Sequence, residues 1–78
     1  MTHVFLVSAR TSIPECPKHD EQLEDMCLAA QHVVMATPFP LAGSKYTWTK
    51  ALLSTGITIY VREPWNTFVM LLGGSNAD

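Results

Sequence analysis

Charge is scarce in this sequence. Of its 78 residues, 15% are Asp, Glu, Lys or Arg, where an ordinary soluble chain has about 25%. The five basic residues, Arg10, Lys18, Lys45, Lys50 and Arg62, are scattered. They form no stripe that could neutralise a run of phosphates, which excludes a direct nucleic-acid grip. A long apolar run is also missing. The longest, Phe68 to Leu72, falls far short of the roughly 20 residues that span a bilayer. The opening MTHVFLVSAR has neither a basic leader nor a long apolar core, so no secretory signal is read there. The expected compartment is cytoplasmic, with the two cysteines, Cys16 and Cys27, reduced. No glycine-rich phosphate loop is present, because Gly43-Ser44-Lys45 lacks the rest of a P-loop.

Apolar residues, by contrast, make up 47% of the chain. A body this small buries a modest share of its surface. Many apolar side chains with few charges therefore leave apolar area outside, and a partner or second copy is the simplest cover for it. The expectation is one domain over residues 1–78, assembled as a homo-oligomer.

Taken in order, residues 3–9 (HVFLVSA) are β-branched and aromatic and read as a central strand. Arg10 to Lys18 carries two prolines and reads as a loop. Asp20 can cap a helix, with Glu21, Glu24 and Asp25 suited to its positive end. Leu23, Met26, Cys27, Ala30 and Val34 recur at helical spacing, so a long helix is predicted to about Ala36. Pro38 and Pro40 make residues 37–44 a loop, with Phe39 and Leu41 anchoring it. Thr47 reads as a second N-cap, Trp48, Ala51 and Leu52 as one helix face, and Gly56 as its stop. Ile57, Ile59 and Val61 alternate with Thr58, Tyr60 and Arg62, a strand with one covered face. Pro64 and Asn66 bracket a turn. Thr67 to Leu72 reads as the returning strand, and Gly73 to Asp78 as a loose polar tail. The predicted class is α+β: a two-layer sandwich with one long and one short helix on a three-stranded, mainly antiparallel sheet.

The chemistry-bearing residues divide unevenly. Cys16 and His19 lie three apart in a loop. Cys27 and His32, five apart on the predicted helix, diverge by about 140° and share no ligand face. Structural zinc sites want tight ligand pairs from two segments. No metal or cofactor is expected, and nothing near Cys16 and His19 orients a catalytic histidine. The turn from Arg62 to Asn66 is richer. The Trp65 indole can stack on a base or ribose, the Arg62 guanidinium can pair with a phosphate, and the Asn66 amide can both donate and accept. Those are parts of a nucleotide-sized site. The plainer alternative is a hairpin whose tryptophan packs inward, with Arg62 solvated and Asn66 making the turn.

Ala51-Leu52-Leu53-Ser54-Thr55-Gly56, then Ile57 to Val61, Arg62, Trp65-Asn66 and Phe68 to Leu72 form a pattern that resembles the phage Thoeris anti-defence proteins of the nucleotide-sponge type. Trp48 sits where that family has an aromatic residue opening the helix. The likeness covers residues 46–72. Pro64 stands where the family has glycine, and Thr67-Phe68-Val69-Met70 where it has a Gly-Lys-Gly-Met run. The resemblance implies a non-enzymatic oligomer in the host cytoplasm that sequesters a cyclic nucleotide-derived immune signal. Trp65 and Asn66 would touch the ligand between protomers, with Arg62 as a phosphate partner. The alternative function is an anti-CRISPR-like inhibitor that binds a bacterial immune protein directly, with Trp65 as an interface anchor.

Overall fold

The computed structural model describes residues 4–73. Five strands form one sheet: β1 (Val4–Arg10), β2 (Glu24–Ala29), β3 (Val33–Phe39), β4 (Trp48–Leu53) and β5 (Thr58–Val61). One helix, α1 (Trp65–Gly73), ends the described residues, and short 3₁₀ turns occupy Pro17–Glu21 and Ala30–His32. The strands lie in the order β2-β1-β5-β4-β3, and every neighbouring pair is antiparallel. The chain is still a mixed α/β fold, but it is not the expected two-layer sandwich. The three-stranded sheet under a long and a short helix is not formed.

The predicted helix over residues 20–36 is instead a 3₁₀ turn, two strands and a second 3₁₀ turn. Its apolar residues satisfy two periods at once. Met26 and Leu28 alternate with Asp25 and Cys27, and the strand pattern buries Leu28 while leaving Cys27 exposed. The β1 ladder decides between the two, with Phe5 opposite Leu28 and Val7 opposite Met26. Val34, placed in the core stripe by helical spacing, is 64% exposed. The expected first strand is present as β1.

The predicted helix from Thr47 is strand β4. Gly56, read as a helix stop, serves a hairpin instead. Its φ is +92°, its N–H donates to the Leu53 carbonyl at 2.9 Å, and the Leu53 N–H donates to the Ile57 carbonyl at 2.9 Å. This is a three-residue hairpin loop with a left-handed residue in its last position, where glycine alone is free of strain. Gly56 therefore marks a turn between β4 and β5. Strand β5 is covered on both faces, not one. Ile59, Tyr60 and Val61 are all buried, because Phe39 packs edge-on over Tyr60 with ring centres 5.2 Å apart.

Strand β3 reaches into the expected loop, and Pro38 pairs with Thr49 inside it. A proline is tolerated there because β3 is an edge strand and needs no outward donor. The register also slips between Val33 and Met35. Bulge and proline together blunt this edge against pairing with another chain.

Strands β2 and β3 occupy opposite edges, yet only Ala30–His32 joins them. In a flat sheet of this order the edges would lie about 19 Å apart. A 3₁₀ link of that length covers about 8 Å. The sheet must therefore coil until its edges approach, giving a partly closed barrel. The His32 carbonyl accepts the Ser54 N–H at 2.7 Å and fixes this corner to the β4–β5 turn.

Helix α1 replaces the expected returning strand. The run FVMLL is apolar throughout and does not itself distinguish strand from helix. The structure shows Phe68 fully buried, with Leu71 and Leu72 partly buried against the core and Met70 exposed. That is a helix face at spacing three and four. Phe68 meets Phe5 edge-on at 5.9 Å, joining Val7, Ala9, Leu28, Ala51, Ile59 and Val61 in the core. Of the expected polar tail, residues 74–78 lie outside the described residues.

Candidate functional site

The bend from β5 into α1 is fixed by its backbone. The Arg62 N–H donates to the Ser8 carbonyl at 3.1 Å, and the buried Thr49 hydroxyl donates to the Glu63 carbonyl at 2.9 Å. The Phe68 N–H then donates to the Pro64 carbonyl at 2.9 Å, opening the helix. Proline suits this position, since it gives up only a donor that a helix start leaves unused.

Arg62 turns away from the helix. Its Nη1 donates to the Asp20 backbone carbonyl and lies 3.6 Å from the Glu21 carboxylate. Its guanidinium also stacks 4.3 Å above the Tyr46 ring. The ion pair adds little, since Glu21 is 74% exposed. The stack and the carbonyl bond hold the group in place.

Beneath Arg62 lies a polar cluster that sequence reasoning did not assemble. Ser44 Oγ donates to Asp20 Oδ1 at 2.6 Å and accepts the Trp48 indole N–H at 3.1 Å and the Tyr46 N–H at 3.0 Å. The Lys45 N–H donates to Asp20 Oδ2 at 3.2 Å. Asp20 is 3% exposed. The Ser44 hydroxyl is the main reason that its carboxyl titrates below the ordinary carboxylate range. Burial opposes the shift, while the Lys45 amide, the Trp48 indole and the Arg62 charge support it. Asp20 thus caps no long helix. It clips the 11–23 loop to the 40–47 loop. Nothing local in the sequence signals this, because the partners come from three separate segments.

Trp65 and Asn66 lie on the first turn of α1, with Trp65 half-buried and Asn66 exposed. Consecutive helical residues point about 100° apart, so the indole and the amide do not face one spot. Among the described residues no hydrogen bond joins Arg62 to either of them. The structure therefore brings Arg62 to Asp20 and Tyr46 and leaves Trp65 and Asn66 on the helix.

Open depressions mark the surface of the described residues. One, about 350 Å³, is lined by Arg10, Thr11, Ser12, Glu21, Gln22 and their neighbours. Arg10 donates through Nε to the Ser12 carbonyl, and its Nη1 is buried without a hydrogen-bond partner among the described residues. A second, about 280 Å³, is lined by Leu6, Val7, Ser8, Asp25 and Glu63. Neither is lined by Trp65 or Asn66.

The remaining nucleophiles and ligands are dispersed. His19 Nδ1 accepts the Glu15 N–H at 2.9 Å, which ties this ring to its own loop. His32 Nδ1 lies 3.0 Å from Ser54 Oγ on an exposed corner. Among the described residues no three His, Cys, Asp or Glu side chains converge to hold a metal ion, and no helix is long and apolar enough to cross a membrane. Comparison with protein families, characterised proteins and solved structures finds no match.

Proposed function

We propose that this chain is a non-catalytic binding protein whose partner is another protein. The observation that carries this reading is the apolar surface left outside a small, fully occupied core. Leu6 is 75% exposed, Met70 69%, Val34 64% and Met35 58%. Water contact with such side chains is costly enough to favour a covering surface. The anti-defence role, in a host cytoplasm, is one setting for a small inhibitor of this kind, acting directly on an immune protein.

The test is retention of a partner by the tagged full chain, expressed alongside immune complexes such as Cas effectors. Leu6→Lys and Met70→Lys variants serve as paired arms, since both positions are exposed and tolerate a charge. A partner retained by the parent and lost by one of these variants supports the reading. Retention unchanged by both, or no partner at all, overturns it.

A second reading is the nucleotide sponge, supported by the half-buried Trp65 on the first turn of α1. It requires an oligomer with a site completed between protomers, because Arg62 is engaged elsewhere. Thermal stabilisation that grows with the concentration of cyclic dinucleotides or ADP-ribose derivatives supports it. A flat response across that panel, or a response unchanged by Trp65→Ala, counts against it.

A further inference from the structure

We propose that the part of β1 left uncovered beyond β5 is a docking groove for an extended, basic peptide segment of the partner protein. The proposal rests on the protein-binding reading and names its site and its chemistry.

The backbone directions follow from the register. The Ser8 carbonyl accepts the Arg62 N–H, so Ser8 presents its backbone groups to the β5 side. Backbone direction alternates along a strand. Leu6 therefore also points its N–H and C=O toward β5, away from Cys27, its partner in β2. Strand β5 does not extend that far. Its ladder to β1 covers only Ala9 and Arg10, and the chain then leaves through Glu63 and Pro64 into α1. Among the described residues no strand pairs with the Leu6 backbone on this side. The strand is open here in the middle of the sheet, where no bulge or proline blunts it as at β3.

The second depression runs over β1 beside this opening: Glu63 borders it where the chain leaves β5, and Asp25, opposite Ser8 in β2, borders it from the other flank and accepts the Ser8 hydroxyl at 3.3 Å. Leu6 supplies an exposed apolar side chain beside its own backbone groups, which no described strand pairs on this side. An added strand gains main-chain hydrogen bonds from such groups, and side-chain pockets set its specificity. Charge selects the occupant. Asp25 and Glu63 both line the depression, and no Lys or Arg does. Arg62, next in sequence to Glu63, sends its guanidinium to the Asp20 carbonyl and Tyr46 instead. A second copy of this chain would bring carboxylates to carboxylates. A peptide with a Lys or Arg between apolar residues matches both the charge and the exposed Leu6.

The test uses the full ¹⁵N-labelled chain and three capped pentapeptides. The first is Thr-Val-Lys-Val-Thr, the second carries Glu in place of Lys, and the third is the first with methylated backbone nitrogens. The expected result is saturable amide shifts centred on Leu6 with the lysine peptide, and none with the methylated one. The glutamate peptide, and the lysine peptide against the Asp25→Asn, Glu63→Gln double variant, should each bind at least about fivefold more weakly. Shifts centred on β3 or α1, equal binding of the two charged peptides, or no shift at concentrations on the order of several millimolar overturns the groove. Amide shifts that depend on protein concentration without peptide would place a second copy there and overturn it equally. The two proposals separate cleanly. A partner that the Met70→Lys arm releases and the lysine peptide does not displace leaves the protein-binding reading standing and removes the groove.

Discussion

Asp20 and Ser44 lie 24 residues apart in the chain, and their side-chain oxygens lie 2.6 Å apart in the fold. That contact joins the two long loops and brings the Trp48 indole N–H within 3.1 Å of the same hydroxyl. Removing it should loosen both loops together. In Ser44→Ala the carboxylate and the indole each lose a partner in a site with little water, which costs more than a hydrogen bond at the surface. The expected outcome is a lower urea midpoint and an Asp20 carboxyl that titrates closer to its ordinary value. An unchanged midpoint would show that the clip adds nothing to stability.

The same carboxyl sets a pH dependence. Its folded-state pKa is depressed, chiefly by the Ser44 hydroxyl. A depressed group stabilises the fold above its unfolded value of about 3.9, and that stability is lost as pH falls through the folded value. Chemical denaturation between pH 7 and pH 2 (a range set by the general carboxylate titration) should show stability falling below about pH 4. In Asp20→Asn the acid-dependent part assigned to this residue should vanish, leaving a shallower curve. Identical slopes for the two proteins would remove Asp20 as the source.

Phe68 is the plug between helix and barrel. It is fully buried and meets Phe5 edge-on. Truncation to alanine removes its burial and leaves a cavity, at a cost of about 3–5 kcal/mol. A domain of this size has about 5 kcal/mol or less in reserve. Phe68→Ala should therefore be largely unfolded by circular dichroism, whereas Phe68→Leu should fold with a lowered midpoint. A well-folded alanine variant would mean that α1 docks through other residues.

Gly56 separates backbone strain from crowding. Its φ is +92°, yet a Cβ added there would meet nothing within 4 Å. Gly56→Ala should cost about 1 kcal/mol through the dihedral alone. Gly56→Asn should cost less, since asparagine enters the left-handed region more readily. Equal losses for the two would point to a different cause.

Parts of the fold and site were legible in the chain. The β-branched run of β1 allowed one conformation, and the period of two placed β5 close to its observed bounds. Arg62, Trp65 and Asn66 lie close together along the chain, where β5 passes into α1. Their grouping was not readable, because Arg62 finds its partners in Asp20 and Tyr46, far away in sequence. Residues 20–36 and 47–55 misled because their apolar spacing fits a helix and a strand equally. Phe68 to Leu72 misled in the opposite direction, since an unbroken apolar run carries no period at all.

By itself the sequence determined a mixed α/β chain with scarce charge, a turn at Gly56, and more apolar surface than a small core absorbs. Those properties belong to single residues and their immediate neighbours. Only the tertiary structure decided which ambiguous segments became strands, because a strand is stabilised by a neighbour that the local sequence does not contain. The clip between Asp20 and Ser44, the coiling forced by the Ala30–His32 link, and the stretch of β1 left open at Leu6 all arise from that long-range pairing.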